Sequence, residues 1–186
     1  MTLNGTTALT DLHRQRWSFV PGALPDTAPL VRAAPDRWMT DESPDGSNVT
    51  YSSSSTGEAL ANCADPVQDL ARSVVDQLAG DEAVPMFNEA AWNRYQPGRG
   101  HISLHRDPPG AGGVIAVFTL YGEAVFTVES QAEFTVAGGD LVLLAGTGWP
   151  ESGAQCVRHG ASIPITGERM ILTFRFNVNG AGAAYF

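Results

Sequence analysis

Between residues 65 and 78 the apolar side chains fall at Val67, Leu70, Ala71, Val74, Val75 and Leu78, the i, i+3, i+4, i+7 spacing of one helical face. Asp65 is placed to cap that helix. Pro66 suits its first turn, where a missing N–H loses no partner, and Gly80 suits its end. The spacing predicts a helix over 65–79. After Pro85 the texture changes to short apolar or alternating runs, at 87–95, 101–105, 114–120, 123–128, 133–136, 140–145 and 169–177, divided by Gly and Pro. Several such runs at close spacing predict an all-β barrel or sandwich. Tyr121-Gly122 and Ala137-Gly138-Gly139-Asp140 read as hairpin or corner turns. Residues 1–60 carry loop signals at 41–46 and 52–55, which predicts short strands with mobile connections. The Gly-rich tail at 180–184 reads as frayed.

Composition narrows the class without naming a function. A chain of 186 residues that is 43% hydrophobic and 17% charged fits one globular domain with one core. No apolar run approaches the length of a membrane span, and no basic-then-apolar leader opens the chain, so a cytoplasmic location is expected. Two distant cysteines, Cys63 and Cys156, lie outside any CxxC pattern and read as reduced thiols. The net charge of −9 works against binding a polyanion, since such binding draws on cations meeting phosphates. All 11 basic residues are arginine, and none of them forms a run.

The candidate chemistry begins at Leu104-His105-Arg106-Asp107, where His105 and Asp107 stand two apart and leave one face of an extended backbone. With the distal His159 they make two imidazoles and a carboxylate, the facial ligand set of non-haem Fe(II) sites, which leaves open positions opposite. On 169–176, Arg169, Ile171, Thr173 and Arg175 share one face, while Met170, Leu172, Phe174 and Phe176 share the core face. A guanidinium matches a carboxylate bidentately, so this strand can hold a small dicarboxylate. Asn93 and Tyr95, again two apart, add an amide and a phenol to the candidate set. Period two also puts His101 on the face of His105, as a site-lining residue rather than a ligand; His13 is expected to stay clear of the metal.

Together these stretches resemble the AlkB-like branch of the Fe(II)/2-oxoglutarate-dependent dioxygenases over residues 92–177. The match runs in order through Asn-Arg-Tyr-Gln-Pro-Gly at 93–98, Ser-Leu-His-Arg-Asp at 103–107, Gly-Gly-Asp-Leu-Val at 138–142, His-Gly at 159–160 and Arg-Met-Ile-Leu-Thr-Phe-Arg at 169–175. The resemblance implies a mainly β fold with packed helices, a double-stranded β-helix or jelly roll. Residues 1–62 would form an N-terminal extension or lid, 65–79 a supporting helix and 86–178 the β-helix core. It also implies Fe(II) on His105, Asp107 and His159, and 2-oxoglutarate on Asn93, Tyr95, Arg169 and Arg175, with dioxygen as cosubstrate. His101, Trp149 and Tyr121 are the candidates for the substrate pocket.

The chain departs from the nucleic-acid repair members of that branch. Pro109 stands where they carry a second acid after the HxD, Gly148-Trp149 replaces a Ser-Arg pair, and Ile171 replaces a polar residue. The expectation is therefore C–H oxidation of a small molecule. Oxidative demethylation of alkylated nucleic acid and a jelly-roll binding module without turnover are the alternatives. No membrane and no obligate protein partner is expected.

Overall fold

The computed structural model describes residues 4–42, 47–52, 58–79, 84–149 and 156–184. In chain order the elements are α1 (Gly5–Gln15), β1 (Trp17–Val20), α2 (Ala28–Arg32), β2 (Trp38–Glu42), β3 (Asn48–Ser52), β4 (Glu58–Ala59) and α3 (Asp65–Ala79). Then follow β5 (Glu89–Tyr95), β6 (Ile102–His105), β7 (Ala111–Val128), β8 (Ala132–Val136), β9 (Leu141–Ala145), β10 (His159–Ala161) and β11 (Thr166–Asn177). A major antiparallel sheet runs β1-β9-β7-β11-β5-β3-β2, and a minor one runs β6-β10-β7-β8. The two share β7, and facing sheets joined this way form the expected double-stranded β-helix with helices on one side. No described helix is long and apolar enough to cross a membrane.

Period-two alternation divides the interior into two cores. One lies between the helices and the outer face of the major sheet, where Leu12, Val67, Val74 and Leu78 meet Trp92, Phe118, Leu172 and Phe174. The other lies between the sheets, with Ile115, Val117, Leu144 and Ile171 facing Phe126, Val128 and Val136. Helix α3 buries the six apolar positions that its spacing marked. Its first bonds, from the Val67 and Gln68 N–H groups, go to the Ala64 carbonyl, so Asp65 sits in the first turn rather than at the cap.

Residues 1–60 hold more structure than expected. The helix α1 buries Ala8 and Leu12, and β1 pairs with β9 from Trp17↔Leu144 to Val20↔Leu141. Only three of the eleven α1 positions are apolar, Ala8, Leu9 and Leu12, too short a stripe to stand out. Of the loop readings at 41–46 and 52–55, Asp41 and Glu42 instead end β2 and Ser52 ends β3, while the remaining residues and the cap at Gly80 lie outside the described residues.

Gly122 makes a corner, not a hairpin. With φ +77° it bends β7 where the strand leaves β9 and β11 and joins β8 and β10. The second corner, at 137–140, is closed by the Asp140 carboxylate, which accepts from the Ala137 and Gly22 N–H groups at 2.8 Å each.

One irregularity positions the site. In the pairing of β6 with β10, His105 stands opposite His159 and Ile102 opposite Ala161, so β6 carries one extra residue, a β-bulge. Gly160 lies against it, and a Cβ there would stand 2.8 Å from the Ile102 carbonyl oxygen and 3.1 Å from the Leu104 nitrogen. Gly160→Ala is therefore expected to push β6 and β10 apart and destabilise the fold by about 1–3 kcal/mol, the range of a core overpacking, read in chemical denaturation. A wild-type midpoint would exclude that contact as a constraint.

Candidate metal and cosubstrate site

The bulge brings His105, Asp107 and His159 together, with their ligating atoms within 4.8 Å of one another. His105 comes from the last residue of β6 and His159 from the first of β10, while Asp107 lies just beyond β6. Each imidazole is turned by its own backbone: Nδ1 of His105 lies 2.9 Å from the Ser103 carbonyl and Nδ1 of His159 lies 3.1 Å from that of Val157. A carbonyl only accepts, so Nδ1 carries the proton in each ring and Nε2 is left with its lone pair for a metal. The His159 ring is stacked on Phe126, at 5.8 Å between centroids.

The electrostatics favour the ligand states. Burial pushes the His159 imidazole below its ordinary range, against the pull of Asp107, which keeps it neutral. Burial would raise the Asp107 carboxyl, but the Arg175 guanidinium and the two histidines outweigh it and hold the group below the usual range. Its Oδ1 lies 3.5 Å from Arg175 Nη2, and its Oδ2 lies 3.4 Å from His159 Nε2. That Oδ2 is buried without a hydrogen bond, although buried polar atoms are normally partnered. Two imidazoles that keep Nε2 free for a metal and a charged carboxylate with one unsatisfied oxygen fit Fe(II).

The same cavity is lined by Asn93, Tyr95, Arg169 and Arg175, with Ile102, Ile115, Val117, Phe126 and Ile171 as apolar wall. Arg169 and Arg175 share the inward face of β11 with Ile171 and Thr173, as the alternation predicts. Arg169 is 2% exposed and has no acidic neighbour among the described residues. Its Nη2 donates to Thr119 Oγ1 at 3.2 Å, its guanidinium carbon lies 5.2 Å from the Tyr95 ring centre, and its Nε is buried without a partner. Burial lowers its affinity for the proton, yet a guanidinium in a protein stays charged. An isolated buried cation is a costly arrangement, and a carboxylate would relieve it. Thr119, missed in the sequence, is the only hydroxyl in the apolar run 114–120, a signal that was there to be used.

None of the three substrate-pocket candidates lines the cavity. The bulge in β6 breaks the period-two count, so Ile102 rather than His101 faces inward with His105; His101 instead bridges to Asn48 by backbone bonds. Trp149 is 3% exposed in the core beneath the helices, its ring 5.3 Å from His13. Tyr121 is turned outward by a one-residue register shift, because Thr119 pairs with Ile171 but Tyr121 with Met170. Its hydroxyl donates to Glu168.

No family model matches the sequence, and no curated protein is detectably similar to it. Solved structures do match. A 2OG-Fe(II) oxygenase family oxidoreductase from Burkholderia pseudomallei is similar at a TM-score of 0.66 and 13% identity, over 97% of this chain and 95% of that one. The fold is that of the 2-oxoglutarate- and Fe(II)-dependent oxygenases. A prolyl-4-hydroxylase from Pseudomonas putida is similar at a TM-score of 0.62 and 20% identity, over 93% and 98% of the two chains. A Trichoplax adhaerens prolyl hydroxylase, solved with a peptide fragment, is similar at 0.60 and 9% identity, over 94% and 90%.

Proposed function

We propose that this chain is an Fe(II)- and 2-oxoglutarate-dependent oxygenase that oxidises a C–H bond of a small-molecule substrate. The observation that carries the reading is the pairing, in one cavity, of a two-histidine, one-carboxylate cluster with a buried guanidinium that has no acidic partner among the described residues. His105, Asp107 and His159 would hold the metal. Arg169, with Thr119 and Tyr95 beside it, would take the distal carboxylate of 2-oxoglutarate, and Arg175, next to Asp107, would face the metal-proximal end. Bound there, Fe(II), 2-oxoglutarate and dioxygen supply the oxidising chemistry, with succinate and carbon dioxide as coproducts.

The chain's own part is to hold and to exclude. The Ser103 and Val157 carbonyls fix the two imidazoles, and Asp107 completes the facial set, which favours hydroxylation over halide transfer. The apolar wall keeps water from the reacting groups and strengthens every charge interaction inside. The motif order shared with the AlkB-like branch supports the cosubstrate assignment. The net charge of −9 and the exposed Pro109 in place of an acid after the HxD support a small molecule over nucleic acid.

The test is aerobic turnover of a metabolite panel, a proline-containing peptide and methylated oligonucleotides at low salt, read by mass spectrometry. A gain of one oxygen on a metabolite, matched by succinate, is expected. Efficient demethylation of an oligonucleotide, or hydroxylation of the peptide alone, would overturn the substrate class.

A further inference from the structure

Strand β11 is irregular where it carries Arg169. Toward β5 its ladder is regular, with Arg169 opposite Tyr95 and Met170 opposite Arg94. Toward β7 the register jumps from Thr166↔Glu123 to Met170↔Tyr121, so four steps of β11 (166 to 170) run beside two of β7 (123 to 121). The bulge opens at Gly167, φ +63°. It presses on Gly122, where a Cβ would stand 2.4 Å from the Glu168 carbonyl oxygen and 2.6 Å from the Arg169 Cα. Bulged backbone lacks ladder bonds and twists locally, so Arg169 needs another restraint if it is to stand at a fixed distance from the metal ligands.

That restraint lies on the outer face of the sheet. Glu168 accepts two parallel bonds from Arg94, Nε to Oε1 at 3.0 Å and Nη2 to Oε2 at 2.7 Å. It accepts a third from Gln96 Nε2 at 2.7 Å and a fourth from the Tyr121 hydroxyl. The Arg94 guanidinium lies 4.9 Å over the Trp38 ring. The clamp and the cavity interleave: Arg94 on β5 and Gln96 just beyond its end flank Tyr95, and Glu168 precedes Arg169 on β11. Burial would raise the Glu168 carboxyl, but its Arg94 and Tyr121 bonds hold it below the usual range and it stays charged. The Arg94–Glu168 pair is part-buried, at 30% and 22% exposed, and bidentate, so its loss also costs some stability, and the binding of oxalate is what separates positioning from folding.

We propose that Arg94, Gln96, Tyr121 and Glu168 form a positioning clamp that fixes the Arg169 bulge, and thereby sets both the affinity for the dicarboxylate cosubstrate and the chain length it accepts. The clamp rests on the 2-oxoglutarate reading of the cavity. It acts only through Arg169, so its loss weakens ligands that reach Arg169 and spares those that touch the metal alone.

The test uses the full chain loaded with Fe(II) without oxygen, titrated with 2-oxoglutarate, with the longer 2-oxoadipate, and with oxalate, which chelates the metal but has no distal carboxylate to present. Glu168→Gln is expected to weaken 2-oxoglutarate about tenfold, the scale of losing an outer-layer support. It should leave oxalate unchanged and narrow the preference over 2-oxoadipate. Tyr121→Phe, which removes one hydroxyl and nothing from the core, is expected to do the same to a smaller degree, and Arg94→Lys to retain part of the wild-type preference. Unchanged 2-oxoglutarate affinity and selectivity in both Glu168→Gln and Tyr121→Phe, or an equal loss of oxalate, would overturn the clamp. A wild-type protein that binds 2-oxoglutarate no better than oxalate would overturn the cosubstrate reading, and the clamp with it.

Discussion

Replacing Asp107 by alanine is expected to remove metal binding, with the folded chain intact by circular dichroism. The carboxylate is the charged member of a cluster whose ligating atoms lie within 4.8 Å, and both imidazoles are already committed through Nδ1 to backbone carbonyls. Without Asp107, only two imidazoles face a divalent ion beside the Arg175 guanidinium, whose charge then opposes it. Affinity should fall by well over the roughly 10- to 100-fold that losing a merely supporting partner costs, read by calorimetric titration with Fe(II) in the absence of oxygen. His105→Ala and His159→Ala are expected to behave alike, and His101→Ala, whose ring does not line the cavity, to bind as wild type. Near-normal affinity in any of the three ligand variants would end the triad assignment.

Arg169→Met is expected to move two measurements in opposite directions. In the chain without cosubstrate, the guanidinium is 2% exposed with its Nε unpartnered. Removing an uncompensated buried charge and filling its place with an apolar side chain is commonly neutral or stabilising, by up to about 1–4 kcal/mol, less what the Tyr95 contact contributed. With 2-oxoglutarate the sign reverses, because a carboxylate would enter the cavity without its partner. The loss should be about 2–5 kcal/mol, which is at least about thirtyfold in dissociation constant. A thermal midpoint that holds or rises while cosubstrate affinity collapses separates a binding role from a structural one. A large fall in midpoint with unchanged affinity would mark Arg169 as a core residue only.

Much of this was legible in the chain because two regular periods governed it. The six apolar positions of α3 and the inward set Arg169, Ile171, Thr173 and Arg175 follow directly from 3.6- and two-residue repeats. The readings that failed lie where a period is broken. One extra residue in β6 moved His101 off the face of His105, and a one-residue shift beside Thr119 turned Tyr121 outward. A bulge flips every later side chain across the sheet, and its site is set by pairing with a distant strand rather than by local sequence. Trp149 failed for another reason, since the core it fills is built partly by α1, whose short apolar stripe gave no warning.

The central claim, that this cavity couples Fe(II), 2-oxoglutarate and dioxygen, is tested most directly by following the fate of labelled dioxygen without any added substrate. With Fe(II) and 2-oxoglutarate under labelled dioxygen, slow formation of succinate carrying one labelled oxygen atom is expected, and it should disappear in His159→Ala. Succinate formed no faster than in the His159→Ala control, or without the label, would contradict the account.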